Sequence, residues 1–175
     1  MFYSNPILHT SRLYSIFKDY LSVSSYEKIP LFYEDWDLKT SELLISMDKE
    51  LFLLFSKLDS IGLNVKQIKP LLEHYESSNS VELTTKITSI KSLKGLTTPS
   101  IKNKDNRYEP DLNSRYFSAD FPFGLDILIE FFNFLNVECP NAKKVSIWYH
   151  SIVNKKTQLF RNFFDSINDL IDFYR

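Results

Sequence analysis

Apolar residues recur at three- and four-residue steps along most of this chain. Leu43, Leu44, Met47, Leu51, Leu54, Phe55 and Leu58 fall on one stripe, which predicts a helix from about Thr40 to Leu58, stopped near Gly62. A second helix is expected from an Asn64 cap through Val65, Ile68, Leu71, Leu72 and Tyr75, kinked or shortened by Pro70. A third runs from a Ser80 cap through Leu83, Ile87 and Ile90 to Gly95, with Lys91 and Lys94 suited to the negative C-terminal end. At the front, Ser11 to Leu21 reads as a helix with Leu13, Ile16, Phe17 and Tyr20 inward. The segment Ile29-Pro30-Leu31-Phe32-Tyr33 reads as extended and packed, because proline biases its neighbour away from the helical region.

The pattern is lost from Leu96 to Asn113, where Thr97-Thr98-Pro99-Ser100 and a charged run from Lys102 to Glu109 predict a long loop. The next segment, about Phe121 to Leu135, is apolar on nearly every side and reads as a buried central helix. Pro140 opens another helix through Val145, Ile147 and Trp148. A last one, capped near Thr157, carries Leu159, Phe160, Phe163, Phe164, Ile167, Leu170 and Ile171. No internal repeat is visible. The fold class predicted is all-α, with six to seven helices.

Composition narrows the function classes. The chain has 175 residues, about one compact domain, with 43% hydrophobic and 25% charged residues and a net charge of -1. That balance excludes a disordered tail and a basic nucleic-acid binder, so no nucleic-acid partner is expected. Cys139 stands alone and only three histidines accompany it, which rules out an internal disulfide and offers no zinc-ligand spacing. No apolar run reaches the roughly 18 residues of a membrane span, and the N-terminus lacks a basic region followed by an apolar one, so the expectation is a cytoplasmic protein with no membrane partner. The three glycines, Gly62, Gly95 and Gly124, are isolated and make neither a dinucleotide fingerprint nor a P-loop. Aromatic residues reach 15% and should mostly fill the core. Yet Phe131, Phe132, Phe134, Phe160, Phe163 and Phe164 cover more than one face of their helices, which leaves an apolar patch for a partner surface, a homodimer among them.

The chemistry concentrates in Asn113 to Leu125, where Arg115 and Asp120 precede a Pro122 and Gly124 turn at a helix start. Unpaired N–H groups and the positive end of the dipole can hold an Asp ionised there, and an Arg can hold an anionic substrate nearby. Two readings stay open on spacing alone: a substrate site, or a helix cap with a surface ion pair.

The run Ser114-Arg115-Tyr116-Phe117-Ser118-Ala119-Asp120-Phe121-Pro122-Phe123-Gly124-Leu125 resembles the R-Y-x-x-E-D-x-P-x-G signature of the C-terminal helical domain of octopine/nopaline-type opine dehydrogenases. Four further pieces resemble family segments in the same order. Asn5-Pro6-Ile7-Leu8-His9 looks like the segment of the active-site histidine, and Pro30-Leu31-Phe32-Tyr33 like a P-L-F-Y element. Lys91-Ser92-Leu93-Lys94-Gly95-Leu96 with Pro99 looks like a K-x-Y-K-G-L-x-x-P stretch, and Cys139-Pro140-Asn141 followed by Trp148 like the closing helix. The similarity covers about residues 1 to 150.

The resemblance implies a helical fold like the C-terminal domain of 6-phosphogluconate dehydrogenase. It implies a place in an NAD(P)-dependent enzyme that condenses an amino acid with a 2-oxo acid such as pyruvate and reduces the imine. By resemblance, His9 is the general acid/base, Asp120 orients and polarises it, and Arg115 binds the oxo acid's carboxylate; His74 and His150 have no matching role and read as surface or helix-end residues. The family's NAD or NADP sits on an N-terminal Rossmann domain. Here Met1 lies only eight residues before His9, so residues 1–175 are expected to form the helical substrate domain alone, with no dinucleotide-binding domain and a Rossmann domain or chain as partner. Ala119 replaces the signature's Glu, Thr10 the usual Pro after the histidine, and Leu93 the Tyr of the K-x-Y-K-G stretch. These departures keep two other readings in view: a helical scaffold or oligomerisation module that has lost catalysis, and a binding protein that uses Arg115 to hold an amino or oxo acid.

Overall fold

A computed structural model describes residues 5–65, 68–153 and 165–174. The all-α reading holds, and among the described residues six helices have eight residues or more. The first, α1 (Asn5–Phe17), begins six residues before the expected Ser11. Pro6 suits a first turn, and the hydroxyls of Thr10 and Ser11 bond back to the carbonyls of Pro6 and Leu8, which adds Ile7 and Leu8 to the buried face. After a short α2 (Tyr20–Val23), the chain runs extended through Pro30 and turns at residues 32–35. The long α3 (Leu38–Ser60) starts at an Asp37 cap, whose Oδ1 accepts from the Thr40 N–H at 2.9 Å.

The helix expected from Asn64 is reduced to α4 (Leu71–His74), with Pro70 at its N-cap. Proline forces the preceding stretch out of the helical region, so the periodic residues before it stay irregular. The next helix, α5 (Ser80–Ser89), is capped by Asn79 rather than Ser80 and gives way to a 3-10 turn (Lys91–Leu93) before Gly95, which takes a positive φ of 72°.

The expected long loop from Leu96 to Asn113 contains a small hairpin: β1 (Ser100–Lys102) pairs antiparallel with β2 (Tyr108–Pro110), in the register Ile101 opposite Glu109. Strands of three residues are too short to show alternation, so the charged run concealed them. The turn is built on Asn103, whose side-chain oxygen accepts from the N–H groups of Asp105 and Arg107, both at 3.0 Å. The hairpin is stitched to the segment after α2 by Tyr26, which exchanges both backbone bonds with Tyr108, and by the Phe32 N–H to the Leu96 carbonyl.

Beyond it, α6 (Arg115–Ser118) leads into a π turn (Phe121–Leu125) and α7 (Asp126–Phe134). The expected single buried helix from Phe121 to Leu135 is therefore two elements, the π turn and α7. Nor is α7 central, because only Phe132 in it is fully buried while Ile127 to Phe131 and Phe134 are half-buried. Next, α8 (Pro140–Val153) starts at Pro140 as predicted, with Val145 and Trp148 inward but Ile147 exposed. Of the last predicted helix, α9 (Ile167–Tyr174) is described and buries Leu170; Thr157, Leu159, Phe160, Phe163 and Phe164 lie outside the described residues. The core joins α1, α3, α5, α8 and the π turn through Leu13, Phe17, Leu44, Met47, Leu51, Phe121 and Val145, all essentially without exposed surface. Among the described residues no helix is long and apolar enough to cross a membrane.

Candidate active site

Three segments distant in sequence meet at the start of α1. The contact that allows it is at Gly124 in the π turn, where a Cβ would lie 3.0 Å from Pro6 Cβ and 3.1 Å from Pro6 Cγ. With no side chain at Gly124, the π turn rests on the first turn of α1, and Asp120 comes level with His9. The π turn itself supplies the register. The Leu125 N–H bonds back five residues to the Asp120 carbonyl at 2.8 Å, and the Asp120 N–H to that of Arg115 at 3.3 Å. Pro122 has no N–H to offer an ordinary α-helical ladder, which is a physical reason for the wider turn.

The third segment is the turn around Tyr33, and it is shaped by Arg12. This guanidinium is buried, with Nε donating to the Phe32 carbonyl at 2.8 Å, Nη2 to the carbonyls of Leu31 at 3.0 Å and Asp35 at 2.7 Å, and Nη1 to Asp37 at 2.8 Å. Burial pulls its pKa down while Asp37 and Asp35 pull it back up. Nothing in the sequence singled out Arg12. In a helix it reads as one more surface cation, and its partners lie 19 to 25 residues away.

His9 stands where the segments meet. Its Nδ1 is 2.8 Å from Asp120 Oδ2 and its Nε2 is 2.8 Å from the Tyr33 hydroxyl. The rings of Tyr116 and Phe32 pack edge-on against it, with centroids at 4.7 and 5.8 Å. The imidazole is 14% exposed and Asp120 26%, at one side of a cleft of about 280 Å³ lined by Asn5, His9, Arg115, Tyr116, Ala119 and Asp120. The structure thus brings all three sequence candidates into one cleft. It does not pair Arg115 with Asp120: the carboxylate is on His9, and among the described residues the exposed Arg115 guanidinium has no ion pair. Burial, with Tyr116 next, pushes the Tyr33 phenol pKa well up, so that hydroxyl keeps its proton.

The other titratable groups are not drawn into the cleft. His74 is exposed, edge-on to Tyr75. His150 lies in the last turn of α8, a helix end as expected, and is half-buried with its Nε2 3.0 Å from Asp126 Oδ2, whose other oxygen accepts from Ser146 at 2.7 Å. Burial pushes the Asp126 pKa up against those two partners. Cys139 is buried and its thiol is pushed up to about 11, which leaves it unreactive. Among the described residues no group of three or more His, Cys, Asp or Glu could hold a metal ion.

Fold and cleft together define an all-α domain that carries a histidine–carboxylate pair beside an exposed guanidinium. The chain belongs to the octopine/nopaline dehydrogenase family: residues 2–153 match the family described as NAD/NADP octopine/nopaline dehydrogenase, alpha-helical domain. It is 26% identical over 160 residues to the tauropine dehydrogenase of Arabella iricolor, covering 87% of this chain and 40% of that protein. It is 28% identical over 134 residues to the octopine dehydrogenase of Mizuhopecten yessoensis, covering 72% of this chain and 33% of that one. The chain therefore spans 40% or less of these relatives' length. Among solved structures, an octopine dehydrogenase with NADH and pyruvate superposes with a TM-score of 0.82 over 99% of this chain and 47% of its own, at 19% identity. One with NADH and L-arginine gives 0.75 over 89% and 40%, at 22% identity. At these identities the structures speak for the fold.

Proposed function

We propose that the chain is the substrate-side helical domain of an opine dehydrogenase, which joins the amine of an amino acid to a 2-oxo acid such as pyruvate and reduces the resulting imine. The observation that carries this reading is the His9 imidazole, held by Asp120 in a cleft that Arg115 also lines. An amino acid arrives as an ammonium and must lose a proton before it can attack a carbonyl. The departing hydroxyl must then gain one. A histidine is suited to both at neutral pH, and a carboxylate on Nδ1 fixes its tautomer and stabilises its cation. The Arg115 guanidinium offers a two-point fork to the oxo acid's carboxylate, which would orient the carbonyl toward His9.

The described residues do not fit a dinucleotide, since they include no parallel sheet and no glycine-rich loop. NAD(P)H, whose chemistry is hydride donation, would therefore come on a Rossmann domain that closes the cleft from the other side. The relatives described with NADH, pyruvate and L-arginine support this division of labour.

The test is turnover. The chain is fused to, or co-expressed with, the Rossmann domain of an opine dehydrogenase, and NADH oxidation is followed with pyruvate and a panel of amino acids. Oxidation should require both substrates. His9→Asn should lower kcat by about 10²–10⁴-fold, whereas Arg115→Ala should act mainly on the KM for the oxo acid. A well-folded complex with no turnover across the panel overturns the reading. Ala119 in the cleft wall, where the family signature has Glu, favours a second reading as a helical scaffold without catalysis. In that case His9→Asn and Arg115→Ala leave Rossmann-domain binding intact, and no pair of substrates is turned over.

A further inference from the structure

His9 is held at both ring nitrogens, and the two partners sit on different sides of it. Asp120 lines the cleft. Tyr33 is 8% exposed, is not among the residues that line it, and meets Nε2. The hydroxyl is also fixed in place by its own segment. The Tyr33 carbonyl accepts from the Trp36 N–H at 3.2 Å, its ring stacks on Trp36 at 6.3 Å, and the Trp36 Nε1 donates to Ser41 Oγ at 2.9 Å. The Leu31 N–H donates to Asp35 Oδ2, and Arg12 binds three carbonyls of the same turn. Tyr33 is therefore a preorganised partner.

Both charge states of His9 can be written with a partner at each ring nitrogen. In the neutral ring, Nδ1–H donates to Asp120 and Nε2 accepts from the Tyr33 O–H. In the imidazolium, the proton taken from the substrate ammonium sits on Nε2 and is donated to the Tyr33 oxygen, while the phenol turns its own O–H toward Tyr116, its other side-chain hydrogen-bond partner. A phenol does this by rotation of one bond, with no movement of the ring. The titratable groups facing His9 are Asp120, Arg115 and Tyr116 from the α6 and π-turn side and Tyr33 from the turn behind it. Among the described residues, only Tyr33 meets Nε2.

We propose that Tyr33 is a positioning residue for the reaction inferred above, its hydroxyl locking the imidazole with Nδ1 toward Asp120 and following the charge on His9 by switching from donor to acceptor. The proposal rests on the reading of His9 as the acid–base group. Replacing the hydroxyl removes a neutral hydrogen bond from one charge state and a charge-assisted one from the other. The second loss is larger, so the imidazolium suffers more.

Two measurements test it. In the chain alone, ring nitrogen shifts of His9 are followed by NMR against pH for the unaltered protein and for Tyr33→Phe, which keeps the ring packing. The Tyr33→Phe titration should move to lower pH by roughly half to one unit, with Nδ1 still the protonated nitrogen of the neutral form. In the unaltered chain the Tyr33 hydroxyl proton should exchange slowly and show a contact to the His9 ring, a result that does not depend on the variant folding. An unmoved titration, or a freely exchanging hydroxyl, overturns the proposal. In the complex with a Rossmann domain, the acid limb of the kcat/KM profile should shift by the same amount in Tyr33→Phe. A shifted titration with an unmoved profile removes Tyr33 from the reaction. A wild-type complex that shows no turnover while the chain shows the shift rejects the enzymatic reading and leaves the coupling of Tyr33 to His9 standing.

Discussion

Arg12 is a cation with 1% of its side chain exposed, yet it lies beside the cleft and not in it. Its work is to hold three carbonyls of the 31–35 turn that aims Tyr33 at His9. Removing it leaves those carbonyls short of a donor, with Asp37 still well exposed at 51%. Arg12→Met should therefore cost about 3 kcal/mol, mostly from the orphaned carbonyls. In a domain of this size that lowers the melting temperature by roughly 6–12 °C, measured by calorimetry. Asp37→Asn should cost less than about 1 kcal/mol, because asparagine also caps a helix and the lost ion pair is half in water. If the two variants melt alike, the ion pair matters and the carbonyl clamp does not. His9, Arg115 and Asp120 were legible because a signature and its order marked them. Arg12 was not, and neither was the role of Tyr33: a residue that acts on backbone carbonyls or on one ring nitrogen leaves no pattern until the fold assembles its partners.

The π turn decides whether His9 and Asp120 meet. Periodicity sees only that Phe121, Leu125, Leu128 and Phe132 recur at helical steps, so it merges the turn with α7 and misses the start at Arg115. One extra residue per turn cannot be read from an apolar stripe, although Pro122 marks where the α-helical ladder lacks a donor. Gly124 carries the consequence. Its missing Cβ would sit 3.0 Å from Pro6, closer than side chains pack, so the π turn and α1 would have to part by a few tenths of an ångström. Gly124→Ala should cost about 1–3 kcal/mol by overpacking, with Gly124→Val at the upper end or beyond. More specifically, Gly124→Val should loosen Asp120 from His9 Nδ1, and the His9 titration should move to lower pH as the imidazolium loses its counter-charge. A variant that melts lower with an unmoved His9 titration would show that the close contact serves stability alone.

At the scale of the molecule, α3 is the spine, and two buried carboxylates tie other helices to it. Glu50 accepts from the Asn141 N–H and side chain and from the Ala142 N–H at 2.8 to 3.0 Å, fastening the start of α8. Asp48 accepts from the Leu71 N–H at 2.9 Å at the start of α4, but among the described residues its Oδ1 has no partner. The long helices were legible from their stripes. These ties were not, since an Asp and a Glu inside a helix read as solvated. The two differ in consequence: burial pushes the Asp48 pKa from 3.8 up to about 6, against the Leu71 hydrogen bond. A carboxyl whose folded pKa lies above its unfolded value binds its proton more tightly in the folded state. Its contribution is then fully present below about pH 4, falls as pH rises through about 4 to 6, and stays lost above. Asp126, also pushed up by burial, acts in the same direction. Two pKa units set an upper bound of about 3 kcal/mol for Asp48 alone. The molecule should therefore be more stable at pH 5 than at pH 7.5, and urea midpoints across that range measure the slope. Asp48→Asn keeps an oxygen for the Leu71 N–H, cannot ionise, and should flatten the slope between pH 4 and 6 while raising stability at pH 7.5 by about 1 kcal/mol. An Asp48→Asn variant that retains the full slope would place the titrating group elsewhere, with Asp126 next to be changed.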